Sequence, residues 1–309
     1  MAAKTTRKSS LQLTLPATSA NLGPAFDTAA LALRLFLKIT ARPADDFSVT
    51  ARGRDADICG QIENHLILTT YREVLQAEHK PIHPLALLIL NEIPIGKGWG
   101  SSAAARLAGI ALADHFGNLR WNDSRIVAEA SRREHHPDNA AACWMGGLAV
   151  ARMDGDRAAH IARIVPKGKW PLLLAVPEES LSTEQARSVL HSHYSRADAV
   201  LNVQNSMLLL AAFTQGRKDL LRAALHDRIH EPYRASLCPL LPVLQVLPKS
   251  AGVLGVALSG AGPSVLMFLD GKADRVARQQ IAAHIRARGL AAELISTGIS
   301  RRGVVRRDI

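Results

Sequence analysis

The stretch Pro94-Ile95-Gly96-Lys97-Gly98-Trp99-Gly100-Ser101-Ser102-Ala103-Ala104-Ala105 constrains this chain more than any other. Glycine at every second position lets backbone come close to a ligand with no Cβ in the way. Two serines follow, then an alanine-rich apolar run to Phe116 that reads as a helix. A glycine loop feeding a helix N-terminus presents unpaired N–H groups at the positive end of the helix dipole. That arrangement suits an anion, most often a phosphate. Lys97 adds a cation, and the Ser101 and Ser102 hydroxyls can meet phosphate oxygen or a metal. The spacing is neither Walker A nor the Rossmann fingerprint. An ordinary strand-to-helix turn with a serine cap would use similar residues.

A chain of 309 residues suits one large domain or two of ordinary size. With 48% hydrophobic and 21% charged residues it reads as soluble and globular, and no apolar run reaches membrane-span length. Lys4, Arg7 and Lys8 precede Leu11–Leu15, which alternates like a strand and lacks the apolar core of a secretory signal. The three cysteines, Cys59, Cys143 and Cys238, form no CxxC and are odd in number, so free thiols in the cytoplasm are expected. A net charge of +11 raises the question of nucleic acid. The basic residues are scattered, however, and only 4% of the chain is aromatic, which leaves few stacking surfaces. Only Arg301, Arg302, Arg306 and Arg307 form a dense cluster. A basic surface that favours anionic small molecules accounts for the charge better, with neither nucleic acid nor membrane as a partner.

Along the chain, strands are expected at Leu11–Leu15, Ala30–Thr40, Leu85–Glu92, Gly146–Arg152, Leu172–Val176, Val253–Leu258, Val265–Leu269 and Ala292–Ser296. Helices are expected at Leu66–Glu78, Ser102–Phe116, from Asp123 with that aspartate as its cap, and at Thr183–His193, Asp198–Gln215, Lys218–His226 and Ala273–Arg288. The basic stretch Val165–Pro171 divides the pattern, giving domains 1–165 and 166–309 of an α+β protein.

Three further stretches could carry chemistry. Pro16–Asp27 is dense in turn formers and small polar groups between two strands, as a connector or a binding loop would be. Glu134-His135-His136-Pro137-Asp138-Asn139 lies between a helix and the small-residue start of a strand at Ala140–Gly147. It could be a surface helix end, a zinc site without HExxH spacing, or a carboxylate site for Mg²⁺. Leu258-Ser259-Gly260-Ala261-Gly262-Pro263-Ser264 joins two apolar strands as a hairpin whose small residues permit close contact.

Taken in order, these stretches resemble the GHMP kinase superfamily, and within it the homoserine kinases. The resemblance covers nearly the whole chain. It implies a GHMP kinase fold, with an N-terminal domain like domain 2 of ribosomal protein S5 and a ferredoxin-like C-terminal domain. It also implies transfer of the ATP γ-phosphoryl group to the side-chain hydroxyl of L-homoserine, in threonine synthesis. By the resemblance, Asn64 and the run Pro94, Ile95, Gly96, Lys97, Gly98, Trp99, Gly100, Ser101, Ser102, Ala103 and Ala104 hold ATP. Lys97, Ser102 and Glu134 are the catalytic candidates. Ser102 and Glu134 would bind Mg²⁺, with Glu129 as the alternative carboxylate. Asn21, Asp27, His136, Asn139, Thr183, Arg187, Arg234 and Gly260 would hold the amino acid, Arg234 gripping its carboxylate with a guanidinium fork. No dedicated base is evident. The chain departs from the family pattern at Ala25 and His135, where glycine is usual, at Trp99, where leucine is usual, and at Asn205, where many relatives have arginine. A Cβ at Ala25 would hinder a positive φ there. Another small-molecule kinase of the superfamily, or a non-catalytic relative that senses a nucleotide or amino acid, would share the coarser features. A homodimer is left open.

Overall fold

The strand that alternation marks at Leu11–Leu15 continues well past that run. In the computed structural model, which describes residues 10–247, 252–270 and 275–309, strand β1 runs from Leu11 to Asn21 and pairs antiparallel with β2, Ala25–Pro43. The ladder shifts register between Pro16 and Thr18 and again between Ala20 and Asn21. A proline has no N–H for a ladder, and a bulge is where a strand tolerates one. Most of the expected loop at Pro16–Asp27 is therefore strand, and only Leu22–Pro24 turns. Its polar residues misled because Thr18, Ser19 and Asn21 are buried at a strand end that faces other loops. Ala25 opens β2 and is not among the residues with positive φ, so the expected hindrance at that position does not arise.

The rest of the first half adds strands β3 (Ser48–Gly53), β4 (Leu85–Asn91), β5 (Leu148–Asp154) and β6 (Ala158–Ile164), and helices α1 (Ala56–Cys59), α2 (Leu66–Ala77), α3 (Ser101–Gly117), α4 (Asp123–Glu134) and α5 (Asp138–Met145). The alanines of α3 let it sit in the interior, and Leu107, Ile110 and Leu112 are fully buried. Two local expectations fail here. The cap of α4 is Asn122, whose side chain accepts the Arg125 N–H. Asp123 is instead held by the Trp144 indole at 2.8 Å. The run after His136 is helix rather than the start of a strand, because Asp138 turns its carboxylate onto the Asn139 N–H at 2.6 Å and the alanines that follow favour a helix.

The second half carries β7 (Pro171–Val176), α6 (Thr183–Ser188), α7 (Arg196–Gln215), a 3₁₀ turn (Lys218–Leu220), α8 (Leu221–Ala224), α9 (Glu231–Arg234), α10 (Leu240–Gln245), β8 (Val253–Leu258), β9 (Val265–Leu269), α11 (Arg275–Arg286) and β10 (Glu293–Gly298). Helix α6 stops five residues short of the expected His193, and the expected helix at 218–226 is a 3₁₀ turn followed by one short helical turn. The four strands form an antiparallel sheet in the order β10-β7-β9-β8, the ferredoxin-like arrangement. The last strand, β11 (Val305–Asp308), returns to pair with β1 and completes a seven-stranded sheet whose main path is β11-β1-β2-β4-β3. Ladder hydrogen bonds come from backbone, so an arginine-rich segment can be a strand where its side chains leave the sheet. Arg306 of that tail reaches the Asp114 carboxylate at 2.8 Å. Strands β3, β6 and β11 and helix α10 gave no clear periodic signal. Lys4, Arg7, Lys8 and the expected helix start at Ala273 lie outside the described residues.

Candidate active site

The glycine loop after β4 forms one wall of a cleft of about 660 Å³ whose other walls come from the first sheet, the turn between β8 and β9 and the helices around them. Gly100 adopts a left-handed conformation just before α3 and accepts the Ala104 N–H at 2.9 Å. Upstream, the Ile95 N–H is tied to the Asp55 carboxylate at 2.9 Å. The loop lies hard against the β8–β9 hairpin. A Cβ at Gly98, where φ is +81°, would overlap the carbonyl oxygens of Ser259 and Gly262. The Ser259 hydroxyl donates to the Gly98 carbonyl at 2.8 Å. Trp99 points inward: it is fully buried, its indole donates to the Ser264 hydroxyl at 3.0 Å, and its carbonyl accepts the Thr18 N–H at 2.9 Å. The departure from leucine thus serves as an anchor between loop, hairpin and β1. Lys97 leans the other way, with its ammonium on the carbonyls of Glu178 and Glu179.

At the foot of α3 the Ser102 hydroxyl donates to Glu134 Oε1 at 2.6 Å, and Arg106 Nε donates to the same oxygen at 2.6 Å. Glu134 Oε2 has no protein partner among the described residues. A hydroxyl and a carboxylate in contact are oxygen donors of the kind a hard divalent cation prefers, so the residues fit Mg²⁺. Glu129 sits among Arg125, Arg132 and Arg133 and lines a different cavity. Burial raises its pKa, but the hydrogen bonds from Arg132 and Arg133 outweigh that and hold it below the usual range. His135, between Glu134 and the next cluster, caps α4 in the left-handed region at φ 66°, a conformation glycine adopts freely and other residues hold at a cost of about 1–2 kcal/mol.

Next to the loop the cleft is lined by charges. His136 Nδ1 and Asp138 Oδ1 are 2.6 Å apart. The other oxygen of Asp138, a residue only 1% exposed, has no hydrogen-bond partner among the described residues. Asp27 completes a group whose ligand atoms lie within 4.8 Å of one another, an arrangement able to hold a cation, metallic or ammonium. Burial alone would lower the His136 pKa; the hydrogen bond and charge of Asp138, with Asp27 and Glu134, outweigh it and leave it raised. Against this group stand two arginines. Arg187 pairs with Asp27 at 2.7 Å, and Arg234, buried at 1% exposure, donates through Nε to the Ala186 carbonyl at 2.9 Å. Both guanidinium groups lie over the Phe26 ring, 5.4 and 5.3 Å from its centre. Burial, then the like charge of Arg187, lowers the Arg234 pKa, so a carboxylate placed here would relieve a real electrostatic cost.

Asn139 accepts the Thr18 hydroxyl at 2.6 Å, and Asn21 donates to the Gly260 carbonyl at 2.8 Å while accepting the Asp27 N–H at 3.0 Å. Of the residues expected in the site, Asn21, Asp27, Asn64, Ile95, Gly96, Gly98, Trp99, Gly100, Ser101, Ser102, Glu134, His136, Asn139, Thr183, Arg187, Arg234 and Gly260 line the cleft. Pro94, Lys97, Ala103 and Ala104 do not. Ala103 and Ala104 are fully buried, and Lys97 is turned onto the Glu178–Glu179 backbone. Asp138, Asp55 and Phe26 were not singled out beforehand. Asp138 and Phe26 could have been, since they sit inside the His-Pro-Asp-Asn and Pro16–Asp27 stretches; nothing local marks Asp55.

Residues 65–147 match the model of the GHMP kinases N terminal domain, and residues 209–286 that of the GHMP kinases C terminal domain. A homoserine kinase of Solibacter usitatus is 42% identical over 94% of this chain and 95% of its own length. A homoserine kinase of Synechocystis sp. is 38% identical over 89% of each. The crystal structure of a homoserine kinase from Cytophaga hutchinsonii superposes with a TM-score of 0.81 at 22% identity, covering 97% of this chain and 98% of that one. Mevalonate kinase of L. major shares the fold at a TM-score of 0.69 and 14% identity, over 93% of this chain and 94% of that one. With the glycine loop, the serine–carboxylate pair and the charged pocket joined in one cleft, the chain belongs to the GHMP kinases and, within them, to the homoserine kinases.

Proposed function

We propose that the cleft transfers the γ-phosphoryl group of ATP to the side-chain hydroxyl of L-homoserine, giving O-phospho-L-homoserine and ADP. The observation that carries this is the meeting of charges beside the phosphate loop: Arg187 and Arg234 as a positive side, Asp27 and the Asp138 oxygen that has no partner among the described residues as a negative side, the two touching where Arg187 contacts Asp27. A free amino acid is a zwitterion, and these two sides match its two ends. Its carboxylate goes to the arginines and its ammonium to the aspartates. With both ends fixed, the side chain of one enantiomer extends toward Asn139 and the loop.

The residues work by position and charge, which is what phosphoryl transfer chiefly needs. The N–H groups from Gly96 to Ser102 cradle phosphate oxygens, and Asn64 contacts the nucleotide. Ser102 and Glu134 would hold Mg²⁺, which supplies charge neutralisation on the phosphates when bound. The substrate oxygen bonds to the γ-phosphorus, the bond to the β-bridging oxygen breaks, and the hydroxyl proton passes to the transferred phosphoryl group. No side chain is assigned as base. Lys97 serves in this reading only if it leaves the Glu178 and Glu179 carbonyls. A cytoplasmic location, supply of threonine synthesis and self-association belong to the same reading.

The test is ADP release by the purified protein with Mg·ATP and L-homoserine, D-homoserine, mevalonate or galactose in turn. Release with L-homoserine alone is expected. Release with mevalonate or galactose instead would move the chain to another branch, and release with none would make it a non-catalytic relative.

A further inference from the structure

His230 does not line the cleft, yet it joins two segments that do. It is fully buried and stacks on Phe26, ring centres 5.2 Å apart. One ring nitrogen, Nε2, lies 2.8 Å from the Gly23 carbonyl, and the other, Nδ1, lies 3.2 Å from Nη1 of Arg234. A guanidinium can only donate. Nδ1 must therefore carry the lone pair, and Nε2 must carry the proton it gives to Gly23. Only the neutral ring in this one tautomer satisfies both contacts. Burial, the largest influence, pushes its pKa down to about 4, in keeping with that form.

The two segments it joins are otherwise fixed. Gly23 sits at φ +73° where a Cβ would meet the Leu225 carbonyl, and it belongs to the turn that presents Asn21, Phe26 and Asp27. The Asp227 carboxylate takes the N–H groups of Ile229, His230 and Glu231 at 3.0, 2.7 and 2.6 Å, which pins the start of α9. Arg234, at the end of α9, gives Nε to Ala186 and shares Nη1 between His230 and the Gly260 carbonyl at 3.4 Å. Nη2 alone keeps no protein partner among the described residues. That is the edge of the fork left for a ligand in the cleft.

We propose that His230 is a positioning residue for Arg234: its Nδ1 lone pair holds Nη1 so that Nη2 faces the carboxylate of the amino-acid substrate. The proposal rests on Arg234 being the carboxylate anchor. It concerns recognition of one substrate group, so it should move KM for L-homoserine and leave KM for ATP and kcat nearly alone.

Two substitutions divide the ring. His230→Gln keeps a donor near the Nε2 position and loses the acceptor toward Arg234; His230→Asn keeps an acceptor near Nδ1 and loses the link to Gly23. Steady-state kinetics are measured for both, with L-homoserine and with its carboxamide, alongside thermal unfolding midpoints. The expected result is a KM for L-homoserine raised about tenfold in His230→Gln and less than about threefold in His230→Asn, roughly one hydrogen bond's worth to a charged group. The preference for L-homoserine over the carboxamide should shrink in the Gln variant alone. Equal KM values in the two variants, or a carboxamide preference like the unsubstituted protein's, overturn the proposal and leave His230 as core packing. Arg234→Leu separates the two layers. If it raises KM while His230→Gln does not, the positioning role falls and the anchor stands; if it leaves KM unchanged, the anchor falls and the positioning role with it.

Discussion

The two ends of the cleft are built from different materials. The loop end is mostly backbone: one contiguous run, Gly96 to Ser102, in which Trp99 is turned inward and Lys97 away, and the Ser102 hydroxyl meets Glu134. The charged end is side chains: Asp27 from β2, His136 from just before α5, Asp138 from its first residue, Arg187 from α6 and Arg234 from α9. Backbone N–H groups are the same in every residue, so the loop end can recognise what all phosphorylated nucleotides share. Side chains differ in charge and reach, so the charged end can distinguish one acceptor alcohol from another. On the proposed reading, nucleotide recognition and acceptor choice are separable in a fold that the mevalonate kinase also uses.

That separation can be broken by substitution, and the largest effect should come from the loop. Gly98→Val puts a branched side chain into the Ser259 and Gly262 carbonyls at a positive φ. Turnover should fall by about 10³, the scale of losing a preorganised charge-stabilising contact, with KM for ATP raised; near-normal ATP kinetics would remove the loop from the nucleotide site. Next is Ser102→Ala, which deletes the hydroxyl beside Glu134. We expect kcat to drop about a hundredfold, with a higher Mg²⁺ requirement and little change in KM for L-homoserine. An unaltered Mg²⁺ titration would dissociate this pair from the metal.

Arg234→Leu tests the other end. Truncating one partner of a buried charge pair costs about 2–5 kcal/mol, so KM for L-homoserine should rise well over tenfold while KM for ATP holds. If both constants move together, the two ends are not independent and the comparison fails. The smallest effect is on stability. The folded-state pKa of His136 is raised, so its contribution is fully present below about pH 6.5 and is lost as pH rises through the folded value. His136→Gln should therefore lower the unfolding midpoint more at pH 6 than at pH 9. A difference independent of pH would mean that the Asp138 contact is not an ion pair.

The loop end was legible in the sequence because its cause is local. Gly96, Gly98 and Gly100 announce close backbone approach, and Ser101 onward announces a helix. The Pro16–Asp27 stretch shows the opposite: its composition reads as loop, but pairing with β2 makes most of it strand. The Leu258–Ser264 hairpin was visible as a turn, yet its packing on Gly98 was not, since those segments are far apart in the chain.

By itself, the sequence determined the order of motifs, the glycine loop and its helix, most strands and long helices, and the family. All of these depend on residues close together or on a pattern that survives along the chain. Only the tertiary structure decided which carboxylate stands beside Ser102. Glu134 and Glu129 lie on the same helix, and it is the placement of Arg125, Arg132 and Arg133 around one of them that separates their surroundings. It also decided that Phe26 lies beneath both arginines, that one oxygen of Asp138 has no partner among the described residues, that Lys97 faces away, and that the basic tail closes the first sheet as β11. The physical reason is the same in each case. A charge or ring acquires its role from the neighbours that desolvate, pair or orient it, and those neighbours come from elements brought together only by packing.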